Sequence, residues 1–447
     1  MSGVSGIYMK DNNASQLVYY GLYALQHRGQ ISAGIAVNNN GFIDYHKDLG
    51  LLNEIFSKDL LKRLRGNIAV GHVRYAIEGE GKTIGNAQPL VAGYKKGALA
   101  LVHDGTIVNF QSIKKELEEM GIIFHSDLDT EVIANLITKH HIDNVEEAVI
   151  KALDEVKGSY GLVIMTNNSL IGARDPHGIK PLSLGKIGDG YVLSSETCAF
   201  DTMGAEFIRD IEPGEIIVID ENGLRSIHKK TSARKLCLFE TIYFARPDSK
   251  IDGKSIYLNR TNTGRRLANE GKVDADIVIG APDSGIVAAI GYSEESGIPY
   301  AEGLVKNRYV GRTFIELTQE LREQGVRIKL NPLKENIEGK RIILVDDSIV
   351  RGTTIKRTVK MLKASGAKEV HIRIASPPVI NTCYLGMDTP DKDKLISANM
   401  TVEDIRKEVG ADSLYFISLE GLIEATGGEW NFCTGCFNGE YPVSIDN

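Results

Sequence analysis

The sequence lacks the features that direct a chain into a membrane or out of the cell. No stretch of about 18 uninterrupted apolar residues occurs, so we predict no transmembrane helix. Residues 1–13 contain no basic segment followed by an apolar run, which argues against a secretory signal. A cytoplasmic protein is therefore expected.

Concentrated positive charge is also missing. Lys and Arg number 52 against 59 Asp and Glu, the formal net charge is −7, and no basic block stands out. We therefore expect no nucleic-acid partner. The 447 residues, of which 42% are hydrophobic and 25% charged, instead fit a globular protein of two or three domains.

Cysteine is scarce, and none lies near the N-terminus. The five cysteines are Cys198, Cys237, Cys383, Cys433 and Cys436. In a long cytoplasmic chain such residues are more often buried, catalytic or metal-bound than paired in disulfides. Four thiolates would suit an iron–sulfur cluster or a structural zinc ion, whereas single cysteines are often plain core residues. Spacing alone does not choose among these interpretations.

The apolar pattern divides the chain into two halves. Before residue 230, short apolar runs predict strands at 34–37, 67–70 and 99–102, and helical spacing occurs at 16–26 and 129–139. This mixture predicts an α+β sandwich. After the polar stretch 229–235, strands at 275–280, 341–345 and 370–374 alternate with helices at 284–292 and 353–364. This half predicts a mostly parallel α/β sheet, so we place the domains at 1–233 and 234–447.

The segment 341–354 carries the most chemistry. An apolar strand ends in two adjacent acids, Asp346 and Asp347, and a short loop containing Gly352 then opens a helix. Backbone N–H groups at such a helix start favour an anion, and carboxylates there suit sugar hydroxyls and a hydrated magnesium ion. The pattern indicates a ligand with both a phosphate and a sugar diol. The alternative is a capped helix beside two solvated acids.

This segment resembles the binding motif for phosphoribosyl pyrophosphate (PRPP) in type I phosphoribosyltransferases. The stretch 281–285 is similar to their pyrophosphate loop, and 306–314 with 321–330 is similar to the mobile loop that closes over PRPP. A basic surface loop is the alternative for the latter. The PRPP-binding residues that the resemblance implies are Asp283, Ser284, Lys306, Arg312, Asp346, Asp347, Ser348, Ile349, Val350, Arg351, Gly352, Thr353 and Thr354. It places Ser284, Asp346 and Asp347 at the Mg²⁺ ion.

Over nearly its whole length the chain resembles the amidophosphoribosyltransferase family, which forms phosphoribosylamine from PRPP for purine synthesis. Further matching stretches are 195–201 and 243–249. A branch of this family holds a [4Fe–4S] cluster on cysteines matching Cys237, Cys383, Cys433 and Cys436. The resemblance therefore favours a structural cluster, and Cys198 is interpreted as a buried core residue. Family members are commonly oligomers inhibited by purine nucleotides, so a homotetramer with such inhibitors is expected.

The first half resembles the glutaminase domain of N-terminal-nucleophile hydrolases, on the stretches 21–30, 71–76 and 129–131. The resemblance assigns Arg74 and Asp129 to the glutamine carboxylate and amine. In the family, an N-terminal cysteine is the nucleophile and its free amine takes the thiol proton. Here Ser2 occupies that position, and a hydroxyl is a weaker nucleophile.

The oxyanion position departs from the family as well. The family has an Asn-Gly pair where this chain has Asp104 and Gly105. Losing one oxyanion donor costs roughly 2.7–4 kcal/mol in the barrier, and we expect a carboxylate to add repulsion. Ile77 and Ile31 also replace the family's threonine and acid. The sequence thus predicts a degenerate glutaminase that still binds an amino acid weakly.

Three functions remain open from the sequence. The first is a phosphoribosyltransferase that forms phosphoribosylamine with ammonia as the nitrogen source. The second is a transferase that moves phosphoribose to a different acceptor. The third is a regulatory pseudoenzyme that binds PRPP or purine nucleotides, although a closing loop is of less use to such a protein.

Overall fold

The computed structural model describes residues 2–10, 13–39, 41–75, 83–228, 232–307, 330–429 and 431–445. The strands of the first half are β1 (Ser2–Tyr8), β2 (Ser32–Asn39), β3 (Phe42–Leu49), β4 (Ile68–Arg74), β5 (Leu90–Tyr94), β6 (Gly97–Ile107), β7 (Gly158–Met165), β8 (Leu170–Arg174), β9 (Ser183–Ile187), β10 (Gly190–Ser194), β11 (Glu206–Asp210), β12 (Glu215–Asp220) and β13 (Gly223–His228). Its α-helices are α1 (Ala14–Ala24), α2 (Leu52–Ile55), α3 (Lys58–Arg63), α4 (Phe110–Glu119), α5 (Asp129–His140), α6 (Val145–Glu155) and α7 (Cys198–Met203). Short 3₁₀ turns cover Gln26–Arg28 and Ile84–Asn86.

These strands form two antiparallel sheets that pack face to face. Among the described residues, one sheet has the order β11-β9-β10-β1-β4-β2-β3 and the other β13-β12-β8-β7-β6-β5. Val4 and Val70 of the first sheet meet Val102 and Val163 of the second in one buried cluster. Helices α1 and α7 cover the outer face of the first sheet, and α4, α5 and α6 cover that of the second. The predicted α+β sandwich is confirmed.

Burial on both faces explains why these strands carry continuous apolar runs. In β2, Ala36 points between the sheets, whereas its neighbours Ile35 and Val37 point towards α1. Successive side chains of a strand alternate between faces, so a strand that is covered twice needs apolar residues at every position. The same layering places β1, and with it Ser2, in the interior of the sheet.

The second half is built around parallel strands. Its strands are β14 (Leu236–Cys237), β15 (Lys250–Ile251), β16 (Lys254–Ser255), β17 (Ile277–Gly280), β18 (Leu304–Lys306), β19 (Leu330–Pro332), β20 (Arg341–Asp346), β21 (Glu369–Ile374), β22 (Ser413–Phe416) and β23 (Phe432–Cys433). Its α-helices are α8 (Ile256–Glu270), α9 (Gly285–Ser296), α10 (Lys334–Ile337), α11 (Thr353–Ala364), α12 (Ile396–Asn399), α13 (Val402–Val409), α14 (Leu419–Ala425) and α15 (Gly435–Asn438), with a π-helical turn at Glu240–Phe244 and a 3₁₀ turn at Lys392–Lys394.

Four of these strands pair in parallel in the order β17-β20-β21-β22. Each face of this sheet has its own apolar cluster. Ile343 and Val345 pack in the cluster that includes α8 and α9, and Ile342 and Leu344 pack in the cluster that includes α11 and α13. The predicted α/β sheet with crossover helices is confirmed. The boundary after residue 233 adjoins residues outside the described ranges and stays a prediction. Within those ranges, no helix has the length and apolar character needed to cross a bilayer.

Candidate active sites

The loop between β20 and α11 has the conformation expected of an anion-binding site. Helix α11 begins at Thr353 directly after Gly352, whose φ of 77° lies in the left-handed region that favours glycine. A Cβ atom at this position would also come within 2.6 Å of the Ile396 side chain. The residue therefore has to be glycine for the chain to turn from the acids into the helix, whose first N–H groups face the loop.

The two acids at the end of β20 differ in their surroundings. Asp347 is buried and accepts hydrogen bonds from the hydroxyls of Ser284 and Ser348, whereas Asp346 is half-buried. Burial raises the pKa of both carboxyls, and the adjacent negative charge of Asp347 raises that of Asp346 further. Two acids held this close in a cleft would be stabilised in their charged forms by a cation.

A cavity of about 600 Å³ opens beside this loop. The sequence-predicted residues that line it are Ser284, Asp346, Asp347, Ser348, Ile349, Val350, Arg351, Gly352, Thr353 and Thr354. Asp283 and Lys306 are not among the residues that line the cavity; they form an ion pair with each other, and both are partly exposed. Arg312, which we expect to reach PRPP, lies outside the described residues.

The same cavity reaches residues that sequence reasoning did not assign to a site. His27 and Tyr75 of the first half line it, together with Phe239, Tyr243 and Phe244 of the second. Tyr75 and the Tyr243–Phe244 pair belong to stretches that carried the family resemblance, but nothing in their spacing indicates that they share a cavity. The cavity thus joins the two halves.

The residues at this loop fit a magnesium ion. Magnesium is usually held by one or two carboxylates together with water and substrate phosphates. Asp346 and Asp347 supply the carboxylates, and Ser284 is bonded to one of them. Among the described residues, no group of three or more His, Cys, Asp or Glu side chains is arranged to bind one metal ion by itself.

Four of the five cysteines converge in the structure. Strands β14 and β23 pair in parallel with Cys237 opposite Cys433, and the Cys436 carbonyl accepts hydrogen bonds from the backbone N–H groups of Ile380 and Asn381. Burial raises the pKa of Cys433 to about 11, and the nearby Cys383 thiol contributes. Burial also raises the pKa of Cys436, and the nearby thiols of Cys383, Cys237 and Cys433 raise it further. The backbone N–H of Leu385 also donates to Cys383 Sγ at 3.3 Å. The four thiols lie in one region of the second half, although among the described residues no three such side chains are arranged to bind a single metal ion.

The predicted glutaminase residues also gather in one place. Strands β1 and β4 pair with Ser2 opposite Arg74, and both residues are buried. The Asp129 carboxylate is 3.4 Å from His103 Nδ1 and accepts a hydrogen bond from the Ile107 N–H. Burial lowers the pKa of His103, but the charge of Asp129 and its hydrogen bond, together with the charge of Asp104, raise it, so that the net shift is upward. Ile77 lies outside the described residues.

Asp104 is fully buried and its carboxylate is oriented towards the N-terminus. Its Oδ1 accepts a hydrogen bond of 2.7 Å from the Ser2 backbone N–H. Lys180 Nζ lies 3.8 Å from the carboxylate and Arg28 Nη2 lies 3.1 Å from it. Burial alone would raise the pKa of Asp104, but the charges of Lys180 and Arg28 lower it well below its usual range. The buried side chain is therefore an anion.

Gly105 follows Asp104 in a conformation that other residues avoid. Its φ is 148°, and an added Cβ atom would fall 1.9 Å from the Ser159 carbonyl oxygen. The chain therefore keeps the family's glycine for a steric reason while its polar neighbour differs.

A buried ion network, which the sequence did not indicate, links the two halves. Arg28 is fully buried and donates to Glu196 and to both carboxylate oxygens of Glu240, which lies in the π-helical turn. Its Nε donates to the Ser2 carbonyl oxygen at 2.9 Å. Glu196 also accepts from Ser249. The N-terminal strand is thereby connected to the beginning of the second half.

Comparisons with known proteins agree with this division. Residues 72–202 match the glutamine amidotransferase domain, and residues 256–376 match the phosphoribosyl transferase domain. The amidophosphoribosyltransferase of Archaeoglobus fulgidus is 49% identical, over 100% of this chain and 98% of its own length. That of Bacillus subtilis is 47% identical, over 99% of this chain and 94% of its own length.

Solved structures agree as well. Glutamine PRPP amidotransferase from B. subtilis complexed with ADP and GMP superimposes with a TM-score of 0.94 at 47% identity, covering 100% of this chain and 98% of that chain. The structure of an allosteric regulatory enzyme of purine biosynthesis superimposes with a TM-score of 0.95 at 47% identity. The match covers 100% of this chain and 97% of that chain. These similarities favour neither a different acceptor nor a pseudoenzyme, and they give no support to the prediction of a degenerate glutaminase.

Proposed function

We propose that this chain forms 5-phosphoribosylamine from PRPP, which is the first step of purine synthesis. The chain belongs to the amidophosphoribosyltransferase family, which carries out this reaction. The observation that carries this function is the loop at the end of β20, where two carboxylates face the cavity and α11 begins. Such a loop binds a sugar diol and a phosphate together. The enzyme is thus a glycosyltransferase in its second half.

We assign the residues of the loop as follows. The carboxylates of Asp346 and Asp347 would hold the ribose hydroxyls and a hydrated Mg²⁺ ion, and the Ser284 hydroxyl would contribute to binding the metal and the pyrophosphate. The backbone N–H groups before α11 and the hydroxyls of Thr353 and Thr354 hold the 5-phosphate. A bound Mg²⁺ ion would neutralise charge on the pyrophosphate.

The reaction needs positioning rather than a covalent intermediate. The ammonia nitrogen attacks the anomeric carbon while the bond from that carbon to pyrophosphate oxygen breaks. Pyrophosphate leaves with the electron pair, and the new ammonium group loses a proton to solvent. Lys306 and Arg312 are proposed to neutralise the departing anion, and Asp283, which forms an ion pair with Lys306, is proposed to position that lysine.

The cavity is the proposed route for ammonia. Phe239, Tyr243 and Phe244 line it together with His27 and Tyr75 of the first half. Uncharged ammonia tolerates an apolar lining better than ammonium does, because burying an unpaired charge is costly. This lining supports ammonia as the attacking species.

We further propose that the glutaminase of this chain is impaired. Ser2 offers a hydroxyl where the family has a thiol, and Asp104 offers an acceptor where the family has an amide donor. Arg74 remains opposite Ser2 and Asp129 remains beside His103, so we expect glutamine to bind weakly without efficient cleavage. Repulsion between the Asp104 carboxylate and an oxyanion stays a prediction. Free ammonia or a partner glutaminase is the proposed nitrogen source.

A [4Fe–4S] cluster is proposed at the four converging cysteines. Cys237 and Cys383 come from separate parts of the second half, and Cys433 and Cys436 come from the C-terminal segment. A group bound to all four would fasten that segment to the transferase domain. A cytoplasmic homotetramer that purine nucleotides inhibit completes the proposal; a solved relative complexed with ADP and GMP supports the nucleotides.

The test measures pyrophosphate release from PRPP and Mg²⁺, first with ammonium and then with glutamine. We expect turnover with ammonium and little with glutamine. Asp347→Asn keeps the shape of the side chain but removes its charge, so it should lower kcat/KM for PRPP by about 10- to 100-fold. The control is Asp59→Asn, at an exposed acid of the other half. Unchanged PRPP consumption in Asp347→Asn would contradict the transferase assignment, and a robust glutamine-dependent rate would contradict the impaired glutaminase.

A further inference from the structure

We propose that Asp104 disables the amine needed for glutamine cleavage by holding the Ser2 α-amino group, once Met1 is removed, as an ammonium ion. This inference rests on the impaired glutaminase proposed above and gives it a cause different from a weak nucleophile. The family resemblance makes the N-terminal amine the base that takes the proton of the nucleophile. A base must have an unprotonated lone pair, which an ammonium ion lacks.

The geometry fixes the Ser2 nitrogen against the carboxylate. The Ser2 nitrogen, which is a peptide N–H in this structure, lies 2.7 Å from Asp104 Oδ1. An ammonium group at the same place would form a charge-assisted hydrogen bond. From the other side, Arg28 Nε donates to the Ser2 carbonyl oxygen at 2.9 Å. β1 is also paired with β4 from Ser2 onwards. Because the residue is held at both its nitrogen and its oxygen, the amine cannot move away from Asp104 without breaking buried bonds.

Among the charges near this nitrogen, that of Asp104 favours its protonated form, and the cations Arg28 and Lys180 oppose it. Arg28 also faces Asp104, but its charge is matched by two further acids, Glu196 and Glu240. Lys180 is 3.8 Å from the carboxylate, further than the Ser2 nitrogen is.

The remaining titratable groups nearby change this balance little. His103 is paired with Asp129, and burial lowers the pKa of His72 to about 3, so His72 is neutral. Arg74, opposite Ser2 in β4, is the remaining cation. Asp104 is therefore the acid in direct contact with the amine. An asparagine at this position would have no negative charge to hold a proton there.

The consequence is that restoring the thiol alone should not restore the glutaminase. A cysteine introduced at position 2 would still lie beside an amine that is already protonated. Its proton would have no acceptor until the pH exceeded the pKa of that amine. Removing the charge of Asp104 in addition should return the amine to its ordinary pKa of about 7.7–8.0.

The experiment compares the full-length wild type, Ser2→Cys, Ser2→Cys with Asp104→Asn, and Ser2→Cys with Asp44→Asn as the control at an exposed acid. Mass spectrometry first establishes removal of Met1. Competitive acetylation across pH, resolved by peptide, then gives the titration midpoint of the N-terminal amine. Glutamate release from glutamine gives the activity, and ammonium-dependent pyrophosphate release is measured on the same samples.

We expect the titration midpoint of the N-terminal amine to fall by about one to two pH units when Asp104→Asn is added. This magnitude corresponds to the free energy of one hydrogen bond to a charged group. Glutamate release should appear in that double variant and not in Ser2→Cys or its Asp44→Asn control. Full glutamate release by Ser2→Cys alone, an unchanged midpoint in the double variant, or retention of Met1 in the wild type would each overturn the inference. Absence of ammonium-dependent turnover in every sample would instead refute the proposed transferase.

Discussion

Removing the Arg28 guanidinium should destabilise the protein strongly, because this group is the centre of the buried ion network. It donates five hydrogen bonds, one to the Ser2 carbonyl and four to Asp104, Glu196 and Glu240. Arg28→Met keeps much of the apolar stem but leaves the three carboxylates without this cation. Breaking a buried ion pair by deleting one partner costs about 3–5 kcal/mol. For a domain of this size, that corresponds to a fall in Tm of roughly 6–20 °C.

The pH dependence of this loss has a defined sign. The charges of His27 and Arg28 outweigh burial and lower the pKa of Glu196, and those of Lys180 and Arg28 lower that of Asp104. Groups with a lowered pKa contribute stability above their unfolded pKa values, near 4, and lose it as the pH falls through the folded values. The free energy of unfolding of the wild type should therefore exceed that of Arg28→Met most at pH 7. The difference between the two should shrink below about pH 4.5.

Urea unfolding of the full chain at a series of pH values measures this difference. Arg63→Met, at an exposed arginine of α3, is the matched control and should change stability by less than about 0.5 kcal/mol. A loss below about 1 kcal/mol for Arg28→Met at pH 7, or a difference that stays constant down to pH 3.5, would refute the role given to the network.

Two other predictions concern the second half. Gly352→Ala places a Cβ atom at positive φ and 2.6 Å from the Ile396 side chain. The affinity for PRPP, measured by calorimetry, should therefore fall about tenfold or more. An affinity equal to that of the wild type would show that the loop tolerates a different turn. Cys433→Ser removes one of the four proposed thiol ligands, so the iron content and the visible absorbance of the protein should fall together. The control Cys198→Ser changes a cysteine outside this set and should keep both. Equal iron content in the two variants would contradict the proposed cluster.

The strand, loop and first helix turn around the two acids could be predicted from the sequence. The apolar run before Asp346 and the glycine before Thr353 act through local backbone preferences, and the predicted helix 353–364 coincides with α11. In the first half, the predicted apolar runs 34–37 and 99–102 lie within β2 and β6, and the run 67–70 overlaps β4 from Ile68. The predicted helices largely coincide with α1 and α5. Residues close in sequence determine such elements, because periodicity and turn chemistry repeat within a few positions.

The partners of Asp104 could not be predicted in this way. The sequence located a carboxylate at a position where the family has an amide, and the expectation concerned a developing oxyanion. The structure shows instead that the carboxylate contacts the Ser2 nitrogen, 102 residues away along the chain. Which atom a side chain faces depends on strand register and on neighbouring sheets, and neither leaves a local signal.

By itself, the sequence determined the two kinds of domain, the segment 341–354 and the residue types that differ from the family. Only the tertiary structure decided that one cavity joins His27 to the acids of β20, that Arg28 reaches Glu240 across 212 residues, and that four cysteines converge. The physical reason is that these contacts depend on how the sheets and helices pack. Packing brings together residues whose separation along the chain follows no periodic pattern.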